Sequence, residues 1–327
     1  MVVVGSGLKR LARWASGAAL LLAVAACSTT DYGKPVNDFA AATDNAEQAL
    51  AELSDQVTEA YRGVLEGGIL SRRSFLQFSQ DECLVASPRC RLAVVDPDSG
   101  AREFYPPEPP LIQMTRLMTQ INRYAGNLKA LLEADTASQV ETQVNAALGS
   151  VQNLAETVAE ARAEAGVAPV DIPPFATSVG AGVNWIVGQY VEGVKYKGLQ
   201  RATAAAKPVV REAADLFATV SAFVSDVPRK DLANDVSKSL DAFRDNGDAA
   251  NLAKLKLSAA KFDTLLTSTP PDLFKRLGDA HDALADALQG GEVSIATAIG
   301  KIEAFAAEAE TLAKILKDIR AIVPDNG

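Results

Sequence analysis

The chain has 327 residues, a formal net charge of −9 and only 6% aromatic residues. That length suits two ordinary domains or one long helical body, and the acidic balance is a poor match for nucleic acid or anionic lipid headgroups. Alanine is abundant and aromatics are sparse, which points to close-packed helices rather than a sheet protein. Its acidic residues are interspersed with Lys and Arg, as on an ordinary solvated surface.

At the N-terminus, Lys9, Arg10 and Arg13 precede an apolar run over 18–25. Small residues Ala25 and Ala26 then lead to Cys27, the pattern of a cleaved secretory leader. From 14 to 26 the run is too short to cross ~30 Å of hydrocarbon as a lasting helix. The stretch Val24-Ala25-Ala26-Cys27 resembles the lipobox of bacterial lipoproteins. The resemblance implies a signal peptide over 1–26, a Cys27 that carries acyl chains such as palmitate, and a lipidated tether over 27–37. It also implies the periplasmic face of the outer membrane rather than the inner one, because Ser28 and not Asp follows the cysteine. The alternative is an ordinary cleaved leader with an incidental cysteine. Losing Lys9, Arg10 and Arg13 with the leader takes the formal charge from −9 to −12.

Helical spacing begins after Gly33 and Pro35, with Phe39, Ala42, Ala46, Leu50, Leu53, Val57, Ala60 and Val64 on one seam. Asn37 or Asp38 caps the start and Gly67-Gly68 ends it, giving a helix over 38–66 of ~43 Å. A single apolar seam with charged flanks needs partner helices, so this element belongs to a bundle. The insert over 69–110 breaks the pattern. Two β-rich runs, 91–96 and 101–105, flank Pro97-Asp98-Ser99-Gly100 and read as a small hairpin. Cys83 and Cys90 precede them. In an oxidising compartment this close pair reads as a disulfide worth ~2.5 kcal/mol by loop closure, stapling the insert alone. Pro106, Pro107, Pro109 and Pro110 then form a stiff re-entry into helix.

The second helix starts near Leu111, with Met114, Leu117, Met118, Ile121, Ala125, Leu128 and Leu132 on its seam. Ser138 and Glu141 suggest a capping box for the third, which carries Val140, Val144, Ala147, Val151, Leu154, Val158 and Ala161 on one face. Prolines near 167–175 turn the chain and mark a candidate subdivision. Residues 172–191 hold no charge, and include Trp185 and Tyr190. Pro173-Pro174 and the glycines shorten and weaken any membrane span, so a buried central helix, packed closely at Gly182 and Gly193, is expected. A membrane-interacting segment is the alternative.

Helix then continues to Lys207, and Pro208 kinks or restarts it. Val209, Ala213, Leu216, Val220, Phe223 and Val227 extend the seam to a stop at Val227-Pro228. Shorter helices are expected over 231–245, 249–266 and 271–288. The last helix spaces Ile295, Ile299, Ile302, Ala306, Ala309, Leu312, Leu316, Ile319 and Val323 by fours and threes, as in a coiled-coil seam. No internal repeat suggests a solenoid.

Chemistry-bearing patterns are thin. His281 is the only histidine and sits on the seam of Leu277, Leu284 and Leu288, the place of a core histidine rather than a ligand. A two-histidine metal site therefore has no second member. A serine nucleophile would depend on that one base with no nucleophile-elbow sequence. Gly180-Ala181-Gly182 follows no strand and is not a nucleotide fingerprint. Glu156, Glu160 and Glu164 line one helix edge, as any polar face does.

The expected architecture is all-α, an elongated multi-helix bundle over 38–327 with coiled-coil-like seams and a disulfide-stapled β-hairpin insert. No catalytic, metal or cofactor residue is assigned, and no nucleic acid partner. The expected role is a lipid-anchored structural or protein-interaction component of the cell envelope. A module carrying a lipid or other apolar ligand between its helices stands as the alternative.

Overall fold

The computed structural model describes residues 30–71, 73–78, 92–105, 112–164, 191–224, 226–266, 270–290 and 293–321. Among them lie α1 (Thr30–Leu70), β1 (Phe75–Phe78), β2 (Leu92–Val95), β3 (Arg102–Tyr105), α2 (Ile112–Glu133) and α3 (Ala137–Glu164). Then follow α4 (Val191–Val224), α5 (Asp226–Asn246), α6 (Ala249–Leu266), α7 (Pro270–Leu288) and α8 (Ile295–Ala321). Among the described residues the chain is mostly helical, with one small three-stranded antiparallel sheet.

Six helices close a ring in the order α1, α2, α3, α4, α7, α8 and back to α1. Their seams are those the sequence spacing picks out. Phe39, Leu50 and Val57 on α1, Leu117, Ile121 and Leu128 on α2, and Val140, Val151 and Val158 on α3 are all buried. Burying each such side chain contributes about 1.5–3 kcal/mol, so the ring rests on its apolar interior. Positions outside the expected seams complete that interior, among them Tyr124, Phe217, Phe274 and Phe305, all fully buried. On α8 the inward stripe is Ala298, Ile302, Phe305, Ala309, Leu312 and Leu316, while Ile295, Ile299 and Ala306 are only half-buried. Phe217 stacks on Phe274 with ring centroids 4.5 Å apart, joining α4 to α7.

Polar contacts fix the direction of each helix. The Thr119 hydroxyl donates to Glu47 and the Thr43 hydroxyl to Asn122, which sets α2 antiparallel to α1. Asn127 donates to Ser150 across α2 and α3. Lys34 faces Glu303 while Gln56 donates to the Leu316 carbonyl, so α8 runs parallel to α1. Arg162 pairs with Glu212, and Gly198 lies against Val144, so α3 and α4 are also parallel. The chain therefore leaves α3 at one end of the ring and enters α4 at the other. A Cβ on Gly198 would sit 2.5 Å from Val144 Cγ2, and this glycine lets the two helices approach.

Both insertions sit at the end opposite Thr30, and together with the last turns of α1 they form a crown. The sheet joins α1 to α2; the α5–α6 hairpin joins α4 to α7 and touches α1, α4 and α8. In the sheet, Phe75 pairs with Val95 and Leu92 with Tyr105. The Tyr105 hydroxyl donates to Glu66 at 2.6 Å, holding β3 against α1. Between β2 and β3, Asp96 accepts from the Asp98 and Ser99 amides, and Gly100 takes φ of 69°. The Asp96 amide also donates to the Ala101 carbonyl, so this is a four-residue hairpin loop over 97–100 closed by a left-handed glycine.

Several expectations need correction. The tether over 27–37 is helical from Thr30 onward, with Gly33 and Pro35 inside α1. Tyr32 and Val36 are buried, and their packing offsets the hydrogen bond that Pro35 removes near the helix start. Gly67-Gly68 does not end α1, which runs on to Leu70. The insert is a three-stranded sheet and not a lone hairpin, because the short run Phe75–Phe78 adds a strand. The capping box of α3 is Thr136 with Gln139: the Thr136 hydroxyl accepts from the Gln139 amide, and the Gln139 side chain accepts from the Thr136 amide. Pro208 neither stops nor restarts α4, since its exposed position leaves the freed carbonyl to water. Val227-Pro228 is not a stop: both residues lie within α5, which opens at Asp226, and Pro228 falls in its first turn, where a missing amide hydrogen costs little. Gly193 is exposed and packs no neighbour closely; Gly198 has that role.

Candidate functional site

The sequence-derived sites divide sharply. Cys27, Cys83 and Cys90 lie outside the described residues, as do the leader over 1–26, the prolines over 106–110 and the charge-free stretch over 172–190. Val191, the last residue of that stretch, opens α4 half-buried. No helix among the described residues is long and apolar enough to cross a membrane.

His281 lies at the centre of the ring with no exposed surface. Its Nε2 is 3.0 Å from the Tyr124 hydroxyl, also fully buried, and its ring packs 5.6 Å from those of Phe39 and Tyr124. Burial, reinforced by the positive charges of Lys207 and Arg211, pushes the imidazole pKa down to about 3. Burial also holds the Tyr124 hydroxyl well above its ordinary value. Both groups are therefore neutral across the physiological range. The pair brings two polar hydrogens to one contact, and Nδ1 finds no partner among the described residues. One buried hydrogen is thus unpaired by protein, at a cost of about 1–3 kcal/mol. Tyr124 is legible in retrospect: it extends the spacing Leu117, Ile121, Leu128 by threes and fours.

Outside this pair, a ladder of charges ties α4 to α7. Arg211 donates to Asp279 and Asp282, and Lys207 donates to Asp286. Burial pulls the Arg211 guanidinium down, but the bonds to Asp282 and Asp279 outweigh it and leave the group raised. A Cβ on Gly278 would meet Arg211 Nη1 at 2.9 Å, so the missing side chain there makes room for the guanidinium. These groups pair with one another and are only partly exposed, which makes them a clasp between helices; Asp282 bonds through Oδ2, while its Oδ1 is buried with no hydrogen-bond partner among the described residues. Glu156 and Glu160 are exposed on α3, and Glu156 accepts from Gln152. No group of metal-ligating side chains gathers among the described residues.

The crown offers a different surface. Leu70, Phe75, Leu76, Leu92 and Ile112 are the large hydrophobic side chains exposed among the described residues, and all five belong to this end. Leu70 is 84% exposed and Phe75 48%. On the α5–α6 hairpin, Leu232, Val236, Leu240, Phe243, Leu252, Leu255 and Phe262 are half-buried, and none is sealed as the ring's seams are. Exposed apolar groups concentrated at one end are the usual mark of a contact surface. No protein-family model, curated protein or solved structure matches this chain.

Proposed function

We propose that this chain is a lipid-anchored component of a bacterial envelope, held through Cys27 on the periplasmic face of the outer membrane. It acts there as a scaffold or recruiter of an envelope protein. The observation that carries this reading is the Val24-Ala25-Ala26-Cys27 box, ending three residues before the helical body begins at Thr30. The filled interior, with Phe39, Tyr124, His281 and Phe305 at its centre, favours a packed scaffold over a carrier of apolar ligands. The crown's exposed side chains supply a surface for the partner. Cys83 and Cys90 form a local disulfide in the insert, in keeping with an oxidising periplasm.

The test is Cys27→Ser in the full chain. The substituted protein should fail to take up labelled palmitate and should leave the membrane fraction or persist as precursor. Palmitate uptake that survives the substitution would sink the reading.

A further inference from the structure

The lower rim of the ring is built from the start of α1 at Thr30, the α2–α3 turn at Asp135 and Thr136, the α7–α8 turn at Gln289 and Gly290, and the start of α4 at Val191. Helix α1 is held in place almost at once. Tyr32 is buried with its ring 5.2 Å from that of Tyr196, and Val36 is fully buried. Only residues 28–31 therefore separate Cys27 from the buried Tyr32, a reach of at most ~18 Å. The 41 residues of α1 then carry the chain ~60 Å to the crown.

We propose that the lipidated body stands end-on, with this lower rim against the lipid headgroups and the crown pointing away from them. The inference rests on the lipobox reading and adds an orientation to it. A short tether alone would also let the body lie on its side, so the walls decide between the two poses. Their outward positions mix Asp, Glu, Lys and Arg, and no large hydrophobic side chain is exposed there among the described residues. Lying down would press that charged wall onto the bilayer, and among the described residues it offers no exposed large apolar side chain to offset its dehydration. With a mature formal charge of −12, anionic headgroups would repel that wall as well. Standing up exposes only a narrow rim to the lipid. It also presents the five exposed apolar side chains to the aqueous compartment, where a protein partner can reach them.

The experiment uses the mature lipidated protein in phosphatidylcholine–phosphatidylglycerol vesicles that contain headgroup-spin-labelled phosphatidylcholine. Trp185, the only tryptophan after the leader, is replaced by Phe. Single probes are then introduced as Asp135→Trp or Gln289→Trp at the lower rim and as Asp98→Trp in the crown, all exposed turn positions. Circular dichroism and melting confirm that each variant is folded. The two rim probes should be quenched several-fold more than Asp98→Trp, whose quenching should match that of a water-soluble control. Equal quenching at both ends, or stronger quenching in the crown, overturns the end-on pose while leaving the anchor intact. Protein that does not float with the vesicles at all overturns the anchor and the pose together.

Discussion

Ring and crown are made from the same kinds of residues and packed to different standards. In the ring, helices contribute seams with no measurable exposure, such as Ile121, Leu128, Val151, Leu277 and Ile302. In the crown, α5 and α6 pair mainly with each other, and their apolar residues stay half-buried. A two-helix hairpin can seal only one face of each helix, whereas each ring helix has two neighbours and an interior to fill. The lesson is one of geometry: apolar spacing makes a helix amphipathic, but the number of neighbours determines how much of that face is sealed. Stability should therefore be unevenly spread, with the crown opening locally before the ring does.

The largest expected effect tests that contrast directly. Phe39→Ala empties the ring's centre beside His281 and Phe305 and should cost roughly 3–5 kcal/mol. Phe243→Ala in the half-buried hairpin should cost about 1–1.5 kcal/mol, because less of the ring is taken from water. Denaturant melts of the two variants measure both losses. Equal losses would erase the distinction between the two regions. Native-state hydrogen exchange should also place α5 and α6 among the first helices to open.

The next effect is a pH dependence confined to the ring. His281 has a folded pKa near 3 against an ordinary value of 6.5, so the unfolded chain takes up the proton first. Its neutral form supports the fold fully above about pH 6.5, and this support is lost as pH falls from 6.5 toward 3. The slope from one such group is at most about 1.4 kcal/mol per pH unit. His281→Leu should flatten the decline between pH 6.5 and 5, where few carboxylates yet titrate. An unchanged slope in that variant would mean the imidazole is not sealed as the structure places it.

A smaller effect is expected where helices touch most closely. Gly198→Ala drives a methyl into Val144 Cγ2, and a β-branched side chain in a helix has little freedom to turn away. Overpacking of this kind costs about 1–3 kcal/mol, against roughly 1 kcal/mol gained from alanine's better helix propensity. A net loss near 1 kcal/mol should appear in thermal melts. Gly193→Ala, exposed on the same helix, should instead be neutral or slightly stabilising.

Much of the ring was legible because its seams repeat over many turns. The spacing of Val140, Val144, Ala147, Val151, Leu154, Val158 and Ala161 predicts a face that is buried along its whole length. What failed were features without a period. Pro35 reads as a helix breaker, yet it is tolerated because Tyr32 and Val36 gain burial from helices far along the chain. Phe75–Phe78 is too short to announce itself as a strand until β2 supplies its hydrogen-bonding partners. Tyr124 fits its seam, but local spacing alone does not mark it as core, because the partner of its hydroxyl lies 157 positions away at His281. Closure of the ring itself, with α1 between α2 and α8, is a property of three-dimensional packing that no local pattern encodes.

The smallest expected effect separates the ring's interior from its charged clasp. Lys207 and Asp286 are each more than a third exposed, so their ion pair should add less than about 1 kcal/mol at pH 8. Lys207→Met keeps the aliphatic stem and removes the charge, and near-wild-type melting is the expected result. The same substitution has a second readout inside the ring. Lys207's charge helps depress His281, and Asp286 acts in the opposite sense. Removing the lysine should therefore raise the imidazole pKa toward its ordinary value and make the acid decline of stability slightly shallower. Burial is the larger cause of the depression, so most of the pH dependence should survive. A loss of several kcal/mol at pH 8 would show that the clasp, and not the apolar interior alone, holds α4 to α7.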